Sequence, residues 1–318
     1  MSRHRSTVLD WIDAGRIAPG REASALRTAG VTPGPADWRG FLVALALWLG
    51  TLAFACAVIF FFAFNWDDLS RFAKFGLVEA AIVAGLGALW WTGLERPAGK
   101  ALLVLLSLLV GALLALTGQV YQTGADSYEL FGWWAALILL WVLVGRFSPL
   151  WLFWLGLLNM AIILYPGWDV AEPVVLWALF GLNALALVAW EAGHRFGTSW
   201  LADDWPPRLV AMASAVAATM LMIWAIVERE GMGGGQALAM LAYAGWIGGL
   251  YGWYRHVRSD LFMLAIGVLS LIVVFTVFMA DHVIGDSAAG FLNVGLAVIG
   301  ASAAAGLWRR AVAREQAA

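Results

Sequence analysis

Hydrogen-bonding side chains crowd into "LTGQVYQTGADSYELFGWW", residues 116–134, among them the seven in its middle: Gln119, Tyr121, Gln122, Thr123, Asp126, Tyr128 and Glu129. None is basic, and no Lys or Arg occurs anywhere from 101 to 145. Amides, phenols and carboxylates without a cation suit a neutral hydrogen-bonding solute or a cationic one, and repel anions. A second polar cluster, "FAFNWDDLSRFAKFG", spans residues 61–75 and holds Asn65, Asp67 and Asp68. Its two acids can offset Arg71 and Lys74. Glu79 follows within an apolar run, where an unpaired carboxylate is costly to bury. Lys74 is a poor partner for it, because five residues place it about 140° round a helix. The candidate ligand-binding set is therefore Asn65, Asp67, Asp68, Glu79, Gln119, Tyr121, Gln122, Asp126 and Tyr128.

Each of these residues also has a purely structural reading. Asp126-x-x-Glu129 has the spacing of an Asp version of the capping box that opens a helix. Gly118 and Gly124 supply turn freedom. Asp68 or Ser70 can cap the helix that follows. Inside a membrane, Asn and Gln also join helices to one another.

Other chemistry is not signalled. There is no His-Glu-x-x-His metal motif and no phosphate loop, and no Gly-x-Ser-x-Gly elbow. The four histidines, His4, His194, His256 and His282, are scattered. Asp281, His282 and Asp286 read as a solvated loop rather than as metal ligands. No enzyme activity, cofactor or metal is expected. With a net charge of −2 and no basic stripe, nucleic acid is not an expected partner. Cys56 stands alone and makes no intrachain disulfide.

The elements that must position these residues follow from composition. Hydrophobic residues make up 63% of the 318, and charged ones 13%. A soluble domain runs near half apolar and a quarter charged, so the excess must face lipid. Each crossing needs about 20 apolar residues. Ten runs qualify: about 41–64, 73–94, 101–121, 129–145, 149–165, 172–190, 208–227, 235–254, 261–280 and 287–308. The fold class is all-α, a polytopic helix bundle. Its expected domains are a helical hairpin over 1–40, ten spans over 41–308 and a tail over 309–318. The fourth and fifth runs form either a tight hairpin or a re-entrant unit. The longest internal loop is expected over 191–207. The first apolar run is too long for a cleaved leader and reads as a retained span.

Orientation follows from Lys and Arg. With ten spans, 16 of the 19 fall on one side and only Arg71, Lys74 and Arg229 on the other. This puts both termini in the cytoplasm. Trp66, Trp90, Trp91, Trp133, Trp134, Trp151, Trp168 and Trp253 cluster near span ends, as an aromatic belt does. Polar residues within spans are Glu79, Gln119, Asn159, Asn183 and Asn293, four of them in the outer half. The inner half offers only small hydroxyls such as Ser107, Ser214 and Ser302. That bias predicts a polar vestibule open to the outside.

At the N-terminus, Val8, Leu9 and Ile12 share an apolar face, Pro19 opens a second helix and Gly30 ends it. Two helices fall short of a three-helix DNA-binding core, so this segment reads as a cytoplasmic docking hairpin.

"FFAFNW" followed by "FAKFG", then "GQVYQTGADSYELFGWWA", together with "LDWIDAGRIAPG" near the start, resembles the bacterial predicted membrane protein family called domain of unknown function 2157. The likeness covers about residues 7–165. It implies a multi-pass protein of the bacterial inner membrane and brings no activity, substrate or catalytic residue. The functional expectation is thus a solute-binding or solute-moving membrane protein with an outward vestibule. An assembly subunit, docking another membrane protein through its hairpin, is the alternative. A membrane-embedded lipid-modifying enzyme comes third.

Overall fold

In the computed structural model, residues 3–65, 67–122, 124, 126–165, 173–228 and 233–282 are described, with Gly295, Ile299, Gly300 and Gly306 besides. The described residues form eleven α-helices and no strand, as an all-α chain requires. All but those last four residues of the expected tenth span lie outside them, as do Asp286, Arg229, Trp66, Trp168 and Thr123; Asn293 and Ser302 are among the span residues not described. The chain divides into two compact units, residues 1–116 and 117–318.

The first unit opens with two short helices, α1 (Arg3–Asp13) and α2 (Glu22–Thr28). The second begins at Glu22, later than Pro19 suggested. Gly30 follows α2 with φ +66°, the left-handed conformation that suits a glycine after a helix end. Helix α3 runs Pro35–Phe64, six residues earlier than the expected start at 41. Pro35 sits where a missing N–H costs nothing, and the Asp37 carboxylate accepts the Gly34 N–H at 2.8 Å. Helices α4 (Arg71–Thr92) and α5 (Pro97–Tyr121) complete the apolar set of this unit, α5 crossing its boundary. Ser70, not Asp68, caps α4: its hydroxyl accepts the Ala73 N–H at 3.2 Å. Gly99 packs against the Gly93 carbonyl, leaving no room for a Cβ.

The second unit holds α6 (Ser127–Gly145), α7 (Ser148–Ile163), α8 (Pro173–Arg195), α9 (Trp205–Val227), α10 (Gly234–Gly252) and α11 (Leu261–His282). Helices α6 and α7 form a hairpin with only Arg146 and Phe147 between them, and the Trp154 indole donates to the Ala135 carbonyl at 3.0 Å. Helix α9 is the hub of this unit. Its buried face is small, with Ala211, Ser214, Ala215, Ala217 and Ala218, so neighbouring backbones approach closely. Leu187 of α8 and Met263 and Leu264 of α11 pack with Val210 and Ala211 in one core.

Seven helices are long and apolar enough to cross a membrane: α3, α4, α5, α6, α8, α9 and α11. Among the described residues, then, seven of the expected ten spans meet that length and composition. Helix α7 has 16 residues, about 24 Å, and falls short of that length. Helix α10 has 19 residues but is diluted by glycine. Side-chain bonds nevertheless show strict alternation in the second unit. The Ser148 hydroxyl at the start of α7 donates to the Trp200 carbonyl, just after α8, at 2.8 Å. Arg208 at the start of α9 bonds Asp260 at the start of α11. At the opposite end, Tyr128 at the start of α6 and Tyr165 after α7 stand with ring centres 4.7 Å apart.

Candidate functional site

In the first unit, Asn65 ends α3, its side-chain amide donating to the Phe61 carbonyl at 2.8 Å. Asp67 and Asp68 are exposed in the turn before α4. Glu79 is exposed too, on a face of α4 that also exposes Phe72 (87%), Val83 (68%) and Trp90 (92%). The expected buried carboxylate is thus a single acid on an otherwise apolar exposed face. Lys74, by contrast, is buried.

In the second unit, Gln119, Tyr121, Gln122 and Asp126 are exposed and Tyr128 is half-buried. Asp126 stands where an N-cap should, with extended backbone, yet its side chain makes no capping bond. The expected capping box is not formed. Instead the Glu129 N–H bonds the Asp126 backbone carbonyl at 3.0 Å. Gln122 has φ +47°, and Gly124 follows with φ +64°. Positive φ is uncommon outside glycine, so Gln122 is held in a conformation its own side chain disfavours.

The buried polar groups of the second unit gather away from the candidate residues. Helix α8 continues to Arg195, which makes the first residues of the expected 191–207 loop helical. This brings Glu191 into the bundle, 7% exposed. Its carboxylate accepts from the Tyr254 hydroxyl at 2.7 Å, the Trp253 indole at 3.1 Å and Arg258 Nη1 at 2.9 and 3.0 Å. The other arm of Arg258 pairs with Asp204. Asp204 and Arg208 lead into α9, while Asp260 bonds Arg208 Nε at 3.0 Å and accepts the Phe262 N–H at 2.9 Å to cap α11. Burial alone would lower the Arg258 pKa, but the bonds and charges of Asp204 and Glu191 outweigh it and hold the guanidinium above its usual range. A turn of π-helix, Trp253–Val257, follows α10 and lets consecutive residues Trp253 and Tyr254 reach one carboxylate.

Sequence reading missed this cluster because Glu191 fell just past an apolar run. A signal was present: Asn183, Leu187 and Glu191 recur every four residues, one stripe of a helix, and all three are buried. Asn183 was read as a helix-joining amide, and it is one. It donates to Asn159 Oδ1 of α7 at 2.6 Å, and Asn159 Nδ2 returns the bond at 3.3 Å. Hydroxyls make a third link that went unread: Ser270 of α11 contacts Thr219 of α9 at 2.7 Å and Tyr243 of α10 at 2.9 Å.

A groove of about 420 Å³ lies between α8 and α10 and is almost wholly apolar, with Leu187, Val188, Trp246 and Leu250 along it. Glu191, Arg195, Trp253 and Tyr254 close one end. Among the described residues no cluster of metal-ligating side chains occurs.

The comparisons fall on the other part of the molecule. Residues 9–151 match the family model described as "Predicted membrane protein (DUF2157)". The DUF2157 match bears out the resemblance of "FAKFG" and "GQVYQTGADSYELFGWWA". All nine candidate residues, from Asn65 to Tyr128, lie within it. The polar cluster around Glu191 and the α8–α10 groove lie beyond it. No curated protein and no solved structure matches the chain.

Proposed function

We propose that this is a ten-span protein of the bacterial inner membrane, with both termini in the cytoplasm, that works as an assembly subunit and not as an enzyme. The alternating ends of the second unit support the span count, and the 16-to-3 division of Lys and Arg supports the orientation. The observation carrying the assembly reading is where the polar groups go. Buried ones join helices: Asn159 to Asn183, Thr219 to Ser270, Glu191 to Arg258. The unsatisfied polar side chains, Glu79 and Gln119, are presented outward on helices of the DUF2157 region instead. A carboxylate on a lipid-facing surface is costly, and a neighbouring membrane protein that supplies a donor relieves that cost. The two short N-terminal helices would hold a partner on the cytoplasmic side.

Photo-crosslinking residues placed at Glu79 and Tyr121 in native membranes test this reading, with Leu185 of α8, 71% exposed, as the lipid-facing control. Discrete protein adducts are expected at positions 79 and 121 and none at 185. Lipid adducts alone at all three positions would overturn it. Deleting residues 1–33, up to the Gly34 that precedes α3, should leave insertion intact and abolish co-purification of the partner held on the cytoplasmic side.

A second reading, binding of a neutral or cationic solute through the vestibule, is favoured by one observation. Gln122 keeps a positive φ in a polar run that holds no cation, and strained residues concentrate at ligand sites. The lipid-modifying enzyme stands third, and loss of such an activity on Asp126→Asn would support it.

A further inference from the structure

We propose that the groove between α8 and α10 binds one molecule of an anionic phospholipid, an acyl chain along the groove and the head group at Arg195. This is independent of the assembly reading and rests only on the orientation proposed with it.

Three features of the groove favour an acyl chain. Its volume, about 420 Å³, lies in the range of small-molecule sites. From Ala184 to Arg195 it follows twelve residues of α8, about 16 Å along the helix. Its floor is kept open by Gly245 and Gly249, where an added Cβ would meet nothing within 4 Å. At its edge Val188 is 65% exposed, and the neighbouring Leu185 71%, so it opens sideways, towards the lipid of a membrane.

The closed end selects the head group. Glu191 is there, but its carboxylate is saturated by Tyr254, Trp253 and Arg258, and Arg258 is held by two acids. Neither charge is left for a ligand. Arg195 differs. Its guanidinium lies 5.7 Å from the centre of the Trp253 ring, exposed at the groove mouth, and no carboxylate among the described residues pairs with it. An arginine docked on an indole is pre-positioned for a phosphate. The same end of the unit carries Arg208, Arg255 and Arg258, the basic loops that place it at the cytoplasmic leaflet, where anionic lipids and basic pockets between spans meet. Glu191 thereby acts as a positioning residue: through Trp253 it fixes the indole on which Arg195 rests.

The test uses the full chain, purified in detergent and stripped of lipid. Dioleoyl phosphatidylglycerol, dioleoyl phosphatidylcholine and oleate are titrated separately, with bound lipid counted by native mass spectrometry. Phosphatidylglycerol should bind about fivefold more tightly than phosphatidylcholine, the attraction expected of one basic residue. Arg195→Gln, at an exposed position, should erase that preference and keep the weaker binding. Gly249→Leu should fill the groove and remove both. Equal binding of the two phospholipids, or an unchanged preference in Arg195→Gln, overturns the proposal. Oleate binding as tightly as phosphatidylglycerol overturns it in favour of a free fatty acid. Should Gly249→Leu fail to fold, phosphatidylglycerol with a photoreactive acyl chain decides on the unaltered chain: labelling within residues 184–196 or 245–254 supports the site, and labelling only elsewhere refutes it.

Discussion

Helix α3 and helix α9 are both long and apolar, yet only 6% of the apolar stretch of α3 is buried within the chain, against 56% of α9. The difference lies in the side chains. Helix α9 presents Ala and Ser to its neighbours and carries the hydroxyl of Thr219 into a three-helix link. Helix α3 presents Phe41, Leu42, Leu49 and Phe60, all more than half exposed. In lipid there is little hydrophobic gain in bringing two apolar helices together, so small residues and polar bonds decide which of them pack. The α8–α11 part has both devices. The DUF2157 region instead carries Glu79 and Gln119 on exposed helix faces.

The sharpest way to break this contrast is to remove one acid from each region. Glu191→Ala deprives a largely buried Arg258, its side chain 18% exposed, of one of its two acids. Breaking a buried pair from one side costs about 3–5 kcal/mol. Glu79→Ala removes an exposed carboxylate, and within the isolated chain it should change stability by no more than about 0.5 kcal/mol. Unfolding of both variants in the same detergent compares the two directly. Equal losses would mean that Glu79 is paired as Glu191 is, and the division into a packed part and a displaying part would fail.

How far each region could be read from sequence follows the same division. Helices α3 to α11 were legible as apolar runs bounded by Pro, Gly and charge, with ends displaced by up to six residues. The alternation of ends within the second unit was legible from its Arg residues. Asn159 and Asn183 were legible as joining residues, since an amide inside a span needs a partner. Glu191 was not, because an acid next to an apolar run is read as its end. Only the tertiary partners, Tyr254 and Arg258 from more than sixty residues away, make it an interior residue. Asp126 failed in the opposite way: its position suits capping, but the backbone carbonyl takes the bond its carboxylate was expected to make.

A smaller effect is expected at Gly99 of α5, within the DUF2157 region. The Gly93 carbonyl occupies the place of a Cβ there. Gly99→Ala must therefore push the turn between α4 and α5 apart, a crowding cost of about 1–3 kcal/mol. Gly87, where a Cβ meets nothing within 4 Å, should accept the same change without loss. Thermal unfolding of the two variants shows whether the first unit has one tight point or is loose throughout.

The amide pair offers a finer measure of the packed part. A double-mutant cycle of Asn159→Leu and Asn183→Leu should return a coupling of about 0.6–1.7 kcal/mol, the range for polar bonds between membrane helices. A coupling near zero would mean that each amide is satisfied by its own helix, through the carbonyls of Leu155 and Leu179, both 2.8 Å away. The contrast would then rest on Glu191 and the hydroxyls alone.

The least effect, and the most informative about the displaying part, is expected at Gln122. A left-handed residue other than glycine costs about 1–2 kcal/mol, part of which glycine gives back through its greater freedom in the unfolded chain. If Gln122 only turns the chain after α5, Gln122→Gly should raise stability by a few tenths of a kcal/mol to about 1 kcal/mol. The crosslinks from Tyr121 should then persist. If the variant is instead less stable, or loses those crosslinks, the Gln122 side chain is itself a contact. The strain at φ +47° is then maintained for recognition. The choice between a protein partner and a solute would pass to whichever ligand restores the stability of the unaltered chain and not that of the variant.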